Sequence, residues 1–470
     1  MAEPRRHWST LVRFLAVVFH AVMGWGWVAT TPLQDIDLPD NVPVSAAFST
    51  VRVGLGPDEK EHYIYARSLA EGQGVPAPDP ERRRRPEQWV SYQAQHPPLF
   101  YGVAAVLMKA TGGFARDIQW ILLRLLCLGF GMLGVWFGAK AVEEGFPERP
   151  SWAWASAGML AAWPMLGHMN GNFSNEPMST ALAAMAWWWT LRFVRKGATG
   201  SACWAVAGLC CGAAALCRLT ALIWIPGILF LALRRAPSRS KAIVWLLGGC
   251  LLPLIPWFVA NLAEYGRPVL RTFHRPLFES VADIPRFLGG GIAPPNAGIL
   301  LVPATVLLWF AGCVWLPIWL AQFHAPGGVL PISVLSLLAG IGISVRLAWM
   351  ASKARRAGSG SGDAIGRDIL LAAGIVVVAC FAGQVWQMGW SDWDVVFSTG
   401  RYTVAAAGAV VLVVLAGATA GIRHEVVRRG IATSMVAALV ALDLAAMGWV
   451  GAFYREHPTQ DAEQRVERPN

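Results

Sequence analysis

Gly56-Pro57-Asp58-Glu59-Lys60-Glu61-His62-Tyr63 is an acidic stretch in a long polar loop, with apolar segments of membrane-spanning quality on both sides. The same loop runs on to Gln95-His96-Pro97-Pro98-Leu99. A chain that lies mostly in lipid has few aqueous surfaces on which to do chemistry, so acids clustered beside the bilayer mark a candidate reaction site. The composition supports that setting: of 470 residues, 55% are hydrophobic and 14% charged, where soluble globular chains carry about 25% charged residues. Apolar runs of roughly 17 to 25 residues recur from Phe14 to Val450, each long enough to cross a hydrocarbon core as a helix. The runs are continuous rather than alternating, which points to helices and not a barrel. The expected fold class is therefore all-α, a polytopic helical membrane protein.

The net charge of +10 does not indicate a nucleic-acid partner, because most basic clusters lie in short connections between spans, as cytoplasmic loops require. The eight cysteines, Cys127, Cys203, Cys210, Cys211, Cys217, Cys250, Cys313 and Cys380, all fall in apolar segments. They read as small hydrophobes, with neither a disulfide framework nor a zinc site. Arg5, Arg6 and Arg13 precede the apolar stretch Phe14 to Ala29 with no clear small-x-small cleavage site after it. The expectation is an uncleaved first span with a cytoplasmic N-terminus.

Charge placement then sets the topology. With the first span running outward, the loop 30–97 faces outside, and its length exempts Arg82 to Arg85 from the charge rule. Leu99 to Ala110 follows Pro97-Pro98 and ends at Thr111-Gly112-Gly113; it is too short to span and suits an interfacial or re-entrant helix. Spans are expected at 118–142, 153–169, 178–193, 202–217, 219–233 and 243–260, followed by a second outer loop, 261–298. The segment 300–323 is read as re-entrant or paired at the interface, since a full span would turn Lys353, Arg355 and Arg356 outward. Spans at 332–350, 369–387, 402–421 and 431–452 complete a set of about eleven, with the C-terminus outside. A Gly/Ser tract at 357–362 reads as a cytoplasmic linker. One membrane domain over 1–452 holds the activity, and 453–470 is a short polar tail.

This topology brings unusual polar groups to one face. They are Asp58, Glu59 and His62 in the first loop, His96 before the prolines, Asn172, Asn175 and Glu176 in Asn170-Gly171-Asn172-Phe173-Ser174-Asn175-Glu176-Pro177, Arg218 between two helices, and Gly400-Arg401-Tyr402 at the start of a late span. Each alone has an ordinary explanation as a solvated turn, a helix start or a headgroup anchor. Together they place carboxylates and fixed cations where both would surround one substrate.

Pro57-Asp58-Glu59 with His62-Tyr63, His96-Pro97-Pro98-Leu99-Phe100-Tyr101, Asn175-Glu176, Gly212 to Leu219 and Gly400-Arg401-Tyr402 resemble, in order and spacing, the landmarks of GT-C glycosyltransferases. The protein O-mannosyltransferase and aminoarabinose transferase types are the most similar, over Phe14 to Leu412. The resemblance implies that Asp58 is the catalytic acid of the first loop, that Glu176 assists from the next outer loop, and that Arg218 contacts the phosphate of a lipid-linked donor. It departs from the family's pattern at Asn175-Glu176, where an Asp is common, and at Arg218, where Lys is usual. The second change keeps the charge and adds a guanidinium fork suited to phosphate.

The chemistry calls for the same residue types. Breaking the bond between a sugar and a polyprenyl phosphate leaves charge on the lipid phosphate, which Arg218 and Arg401 would stabilise. An attacking hydroxyl loses its proton to a carboxylate within hydrogen-bond reach, and Asp58 is the choice for that base. Asp58, Glu59 and Glu176 are thus the candidate catalytic acids, and His62, His96, Asn175, Arg218, Arg401 and Tyr402 the candidate substrate and lipid-phosphate contacts. The expected partners are a polyprenyl-phosphate sugar donor, a lipid, glycan or protein acceptor, and membrane lipids, in a bacterial inner membrane with the site facing outside. The three acids would accept a divalent metal, but carboxylates alone form no metal-specific signature, so metal use stays open. The alternative is a transporter or flippase of a lipid-linked saccharide, which should line a midplane path with broken helices rather than gather its polar groups at one face. Two features stay open: Arg82 to Arg85 as a solvated loop or an attractor of anionic headgroups, and Asp443, midway along the last span, as a helix-helix hydrogen bond or an ion-coupling group.

Overall fold

The computed structural model describes residues 3–37, 50–54, 58–78, 88–197, 200–269, 364–388, 404–422 and 424–456. Arg82 to Arg85, most of the loop 261–298, the elements expected at 300–323 and 332–350, the Gly/Ser tract, Arg401, Tyr402 and the end of the tail lie outside the described residues. What is described is almost wholly helical, as expected. Among the described residues three helical stretches are long and apolar enough to cross a membrane, Trp8–Thr30, Arg116–Gly145 and Glu425–Ala452. A fourth is a pair, Arg239–Leu251 and Ile255–Tyr265, bent by 54°.

The first span lies in α1 (Glu3–Thr30) and the second in α4 (Arg116–Gly145). The span expected at 153–169 is two helices, α5 (Pro150–Ala161) and α6 (Pro164–Gly171). Pro164 offers no N–H to the preceding turn and its ring crowds the carbonyl four residues back, so one helix ends and proline opens the next. After α7 (Glu176–Lys196) and α8 (Ser201–Cys217), Arg218 is extended, a short 3₁₀ turn covers Leu219–Ile223, and α9 runs Trp224–Arg235. The bent pair is α10 (Arg239–Leu251) and α11 (Ile255–Tyr265), with Pro253 at the break. Later described helices are α12 (Ala364–Met388), α13 (Ala407–Ala418) and α14 (Glu425–Glu456). The count near eleven is thus not reproduced as single uninterrupted helices among the described residues.

The helix α4 packs on α1, α5, α6 and α7; α7 packs on α8 and α8 on α10, while α14 closes against α1, α5 and α6. The α8–α10 seam is made by backbone. A Cβ at Gly208 would sit 2.2 Å from Leu246 O, one at Gly212 2.3 Å from Cys250 O, and one at Gly249 2.5 Å from Ala205 O. Helix association in lipid gains little from hydrophobicity, so small residues that let backbones touch supply the contact instead. Polar side chains pin other helices. The Trp27 indole N–H donates to Asp443 Oδ1 (3.0 Å), which joins α14 to α1 and accounts for the acid in the last span. His20 reaches Ala161 O and Asn170 Nδ2 at 2.9 Å each.

The described parts of the first loop carry regular structure. Leu33–Asp37 (β1) and Thr50–Gly54 (β2) form an antiparallel two-stranded ribbon, with Asp35 opposite Arg52, that the all-α expectation did not include. Thr-Val-Arg-Val alternates with β-branched residues, a strand pattern too short to stand out beside the apolar runs. Helix α2 covers Glu59–Ala70, and α3 covers Leu99–Ala110. At 1.5 Å per residue α3 is about 18 Å long, short of a hydrocarbon core of about 30 Å. An aromatic floor of Tyr63, Tyr65, Phe100, Tyr101, Trp120 and Phe173 supports both helices.

Candidate active site

The acid pair straddles the start of α2, and its two members face different neighbours. Asp58 is the N-cap residue with φ 58°, in the left-handed region, and no side-chain capping bond. It is the one non-glycine residue with positive φ among the described residues. Aspartate tolerates this conformation better than most residues, and such backbone strain tends to gather at functional sites. The carboxylate accepts a hydrogen bond from the Tyr92 hydroxyl, held by the 3₁₀ turn Tyr92–Gln95. Ser91, the cap of that turn, donates from Oγ to Glu61 O at 3.0 Å and so fastens the turn to α2.

Glu59 is fully buried and engaged on both oxygens. Arg124 donates from Nε to Oε1 (2.9 Å) and from Nη2 to Oε2 (2.7 Å), and the Phe173 N–H donates to Oε1 at 2.6 Å. Arg124 Nη1 also reaches Val28 O (3.2 Å) and Thr31 O (2.6 Å). This clamp ties the end of α1, the start of α2, the upper part of α4 and the α6–α7 connection. Sequence reasoning named Glu59 and missed Arg124, whose signal was an arginine inside a predicted span.

The second acid is paired as well. Glu176, the first residue of α7, accepts from Arg218 Nη1, and the pair is 6% and 5% exposed. The same nitrogen donates to Asn175 Oδ1 at 3.0 Å, while Asn175 Nδ2 donates to Cys217 O at 3.0 Å. Arg218 reaches this position because the chain breaks out of α8 there, with φ −158° and ψ 121°. Asn172 turns the other way and donates to His168 O at 2.8 Å.

Tyr101 connects these groups. Its hydroxyl lies 2.8 Å from His62 Nδ1, its ring stacks on Tyr65 at 3.8 Å, and Asp58, Glu176 and Arg218 all fall within its electrostatic reach. Burial, with the two carboxylates adding to it, pushes the Tyr101 phenol well up and keeps it protonated. Burial also pushes Glu61 up, with Asp58 adding to the effect against Ser91 and Lys60. His96 enters through its backbone: its carbonyl accepts from the Tyr65 hydroxyl at 3.3 Å and its N–H donates to Gln93 O at 2.8 Å. The structure thus gathers Asp58, Glu59, His62, His96, Asn175, Glu176 and Arg218 at one end of the helices. It adds Tyr92 and Arg124, which no motif in the sequence marked, and Tyr101, which closes the His96–Tyr101 landmark but draws no role from the sequence alone. Among the described residues no three or more His, Cys, Asp or Glu side chains are placed to hold a metal ion.

Residues 95–259 match the family model of dolichyl-phosphate-mannose-protein mannosyltransferases, about a third of the chain. The structure superposes on the oligosaccharyltransferase of Archaeoglobus fulgidus in its apo form, with a TM-score of 0.52 at 12% identity over 96% of this chain. It also superposes on the same organism's AglB in complex with an inhibitory peptide and a dolichol-phosphate, with a TM-score of 0.52 at 14% identity over 99% of this chain. The fold is that of GT-C membrane glycosyltransferases. The chain spans 57% and 60% of the length of those two archaeal chains, and no functionally curated sequence matches it. In this GT-C fold the family match begins at Gln95, so it takes in α3, α4, Glu176 and Arg218 but not the Asp58-Glu59 pair.

Proposed function

We propose that the protein transfers a sugar from a polyprenyl-phosphate donor to an acceptor hydroxyl at the outer face of a bacterial inner membrane, with inversion at the anomeric carbon. The observation that carries the reading is the seating of Asp58. A carboxylate on a residue in the left-handed region, bonded by the Tyr92 hydroxyl, shares the electrostatic environment of Tyr101 with a buried arginine. In the proposed reaction the acceptor oxygen bonds to the anomeric carbon and its proton passes to Asp58. The bond from that carbon to the phosphate oxygen breaks, its electron pair stays on the lipid phosphate, and Arg218 stabilises the charge. Arg218 Nη1 donates to Asn175 and Glu176, and the planar guanidinium is the side-chain group best matched to a phosphate. We assign Glu176 and Asn175 to orienting Arg218, and Glu59 to fixing the loop through Arg124. His62 and Tyr101 are assigned to the acceptor side, and Arg401 and Tyr402 to the donor. The dolichol-phosphate in the archaeal complex belongs to the same chemical class as the proposed leaving group.

The test is transfer by purified Asp58→Asn protein in lipid, with a polyprenyl-phosphate sugar as donor. Near-complete loss with unchanged donor binding is expected, and wild-type turnover would overturn the role of Asp58. The sidedness has its own test. In a cysteine-free background Phe114→Cys, at an exposed position, should react with an impermeant thiol reagent from outside and Lys196→Cys should not. The reverse pattern would put the site on the cytoplasmic face.

A further inference from the structure

Far along α4 from the acids, two cations share one indole. Lys140 Nζ lies 4.4 Å from the centroid of the Trp188 ring, and Arg192 Cζ lies 5.6 Å from it. Arg13 stands 5.1 Å over Trp136 and is ion-paired with Glu143. Arg13 and Arg192 both act electrostatically on Lys140, with Glu144 as the opposing acid. Lys140 and Arg192 make no salt bridge among the described residues. Cation-ring contacts of this kind contribute only about 0.5–2 kcal/mol each and leave the charges unneutralised.

The surroundings say what kind of anion fits. On α4, exposed Leu133 and half-buried Phe137 lead at helical spacing to Lys140; on α7, half-buried Met185 and Trp189 lead to Arg192. The two helices pack directly, with Phe137 and Trp188 rings 5.2 Å apart. The cations therefore stand at one end of a partly exposed apolar strip that runs along two packed helices. A soluble anion has no use for such a strip, whereas a lipid matches both parts. The position is sixteen residues beyond Arg124, about 24 Å along the helix axis, so it is separate from the acid site.

We propose that the α4–α7 face binds an anionic phospholipid, with the headgroup phosphate at Lys140 and Arg192 and an acyl chain along Phe137 and Trp189. Basic pockets between transmembrane helices are suited to anionic headgroups for this reason. The proposal does not depend on the glycosyltransferase reading.

The experiment uses the whole protein in neutral detergent, with phosphatidylglycerol, phosphatidylcholine and inorganic phosphate as separate probes. Retained lipid is counted by native mass spectrometry and thermal stability is followed in parallel. The wild type should retain phosphatidylglycerol in preference to phosphatidylcholine and gain thermal stability from it, while inorganic phosphate gives no gain. Lys140→Gln/Arg192→Gln should weaken phosphatidylglycerol retention by about thirtyfold, the scale of two cations beside an anionic membrane surface. Lys140→Arg/Arg192→Lys should keep it. Equal retention of the two lipids by the wild type would overturn the proposal without recourse to any variant. Undiminished retention by the double Gln variant would overturn it too, and equal stabilisation by inorganic phosphate would show an ion site instead.

Discussion

Two buried arginine–glutamate pairs sit side by side in this protein and are built to different ends. At Glu59–Arg124 the fork is bidentate, both carboxylate oxygens are engaged, and the arginine also holds two carbonyls at the end of α1. At Glu176–Arg218 the arginine's Nη1 donates to both Glu176 and Asn175. Cys127 lies within reach of both glutamates and of Arg124, so the pairs occupy one region of the fold. The first resembles a fastening, since a buried pair with every partner in place gives geometry more than net stability. The second positions a cation at the point where the chain leaves α8. The lesson is that burial and an ion pair do not identify a catalytic acid; how many of its lone pairs the protein already uses says more.

The largest expected effect comes from breaking the fastening. Arg124→Ala leaves Glu59 as an uncompensated buried charge and should cost about 3–5 kcal/mol, read as a large fall in Tm together with lost transfer. Arg124→Lys keeps the charge but not the fork, so it should recover only part of the Tm. Next is Asp58→Asn, expected to lower turnover by about a hundredfold or more with Tm within error of wild type. Glu59→Gln should show the opposite order, with Tm falling first; if both acids lost turnover alike with Tm intact, the distinction between them would fail.

A smaller change separates aiming from charge. Arg218→Lys should retain activity at about a tenth of wild type, a barrier change of ~1.4 kcal/mol, visible in kcat and in KM for the donor. Glu176→Gln should follow the same pattern if its role is to orient Arg218. Unchanged constants in Arg218→Lys and Arg218→Ala would make the residue a structural anchor. The smallest effect is expected at Glu61. Burial raises this carboxyl in the folded state, so the folded protein holds its proton to higher pH than the unfolded chain. Its contribution to stability is full below the unfolded pKa and is lost as pH rises through the folded one. Glu61→Gln should therefore raise Tm slightly at pH 7 and leave it unchanged near pH 4; a rise of equal size at both would remove ionisation as the cause.

The parts of this arrangement that were legible in sequence were those with local signals. Pro97-Pro98 and Thr111-Gly112-Gly113 bracket α3 and gave its length, and loop position alone gathered Asp58, His62, Glu176 and Arg218. Pairings were not legible. Glu59 and Arg124 are 65 residues apart, and Arg124 lies in a run apolar enough to hide it. Glu176 and Arg218 were both named, yet nothing in the chain showed that they meet. The breaks in the predicted spans were marked by Pro164 and Pro253, but a proline inside a membrane helix can kink it without ending it, so hydropathy read through them.

The glycine seam between α8 and α10 has a consequence at a distance. Gly212 lies six residues before Arg218, near the end of the helix that Arg218 follows, and its backbone rests against Cys250 with no side chain between them. A rod seated on another rod in this way has no compressible layer to absorb a displacement. Any methyl group inserted at the seam would tilt α8 and carry its far end sideways, so the aim of the Arg218 guanidinium is calibrated by the absence of atoms two turns away.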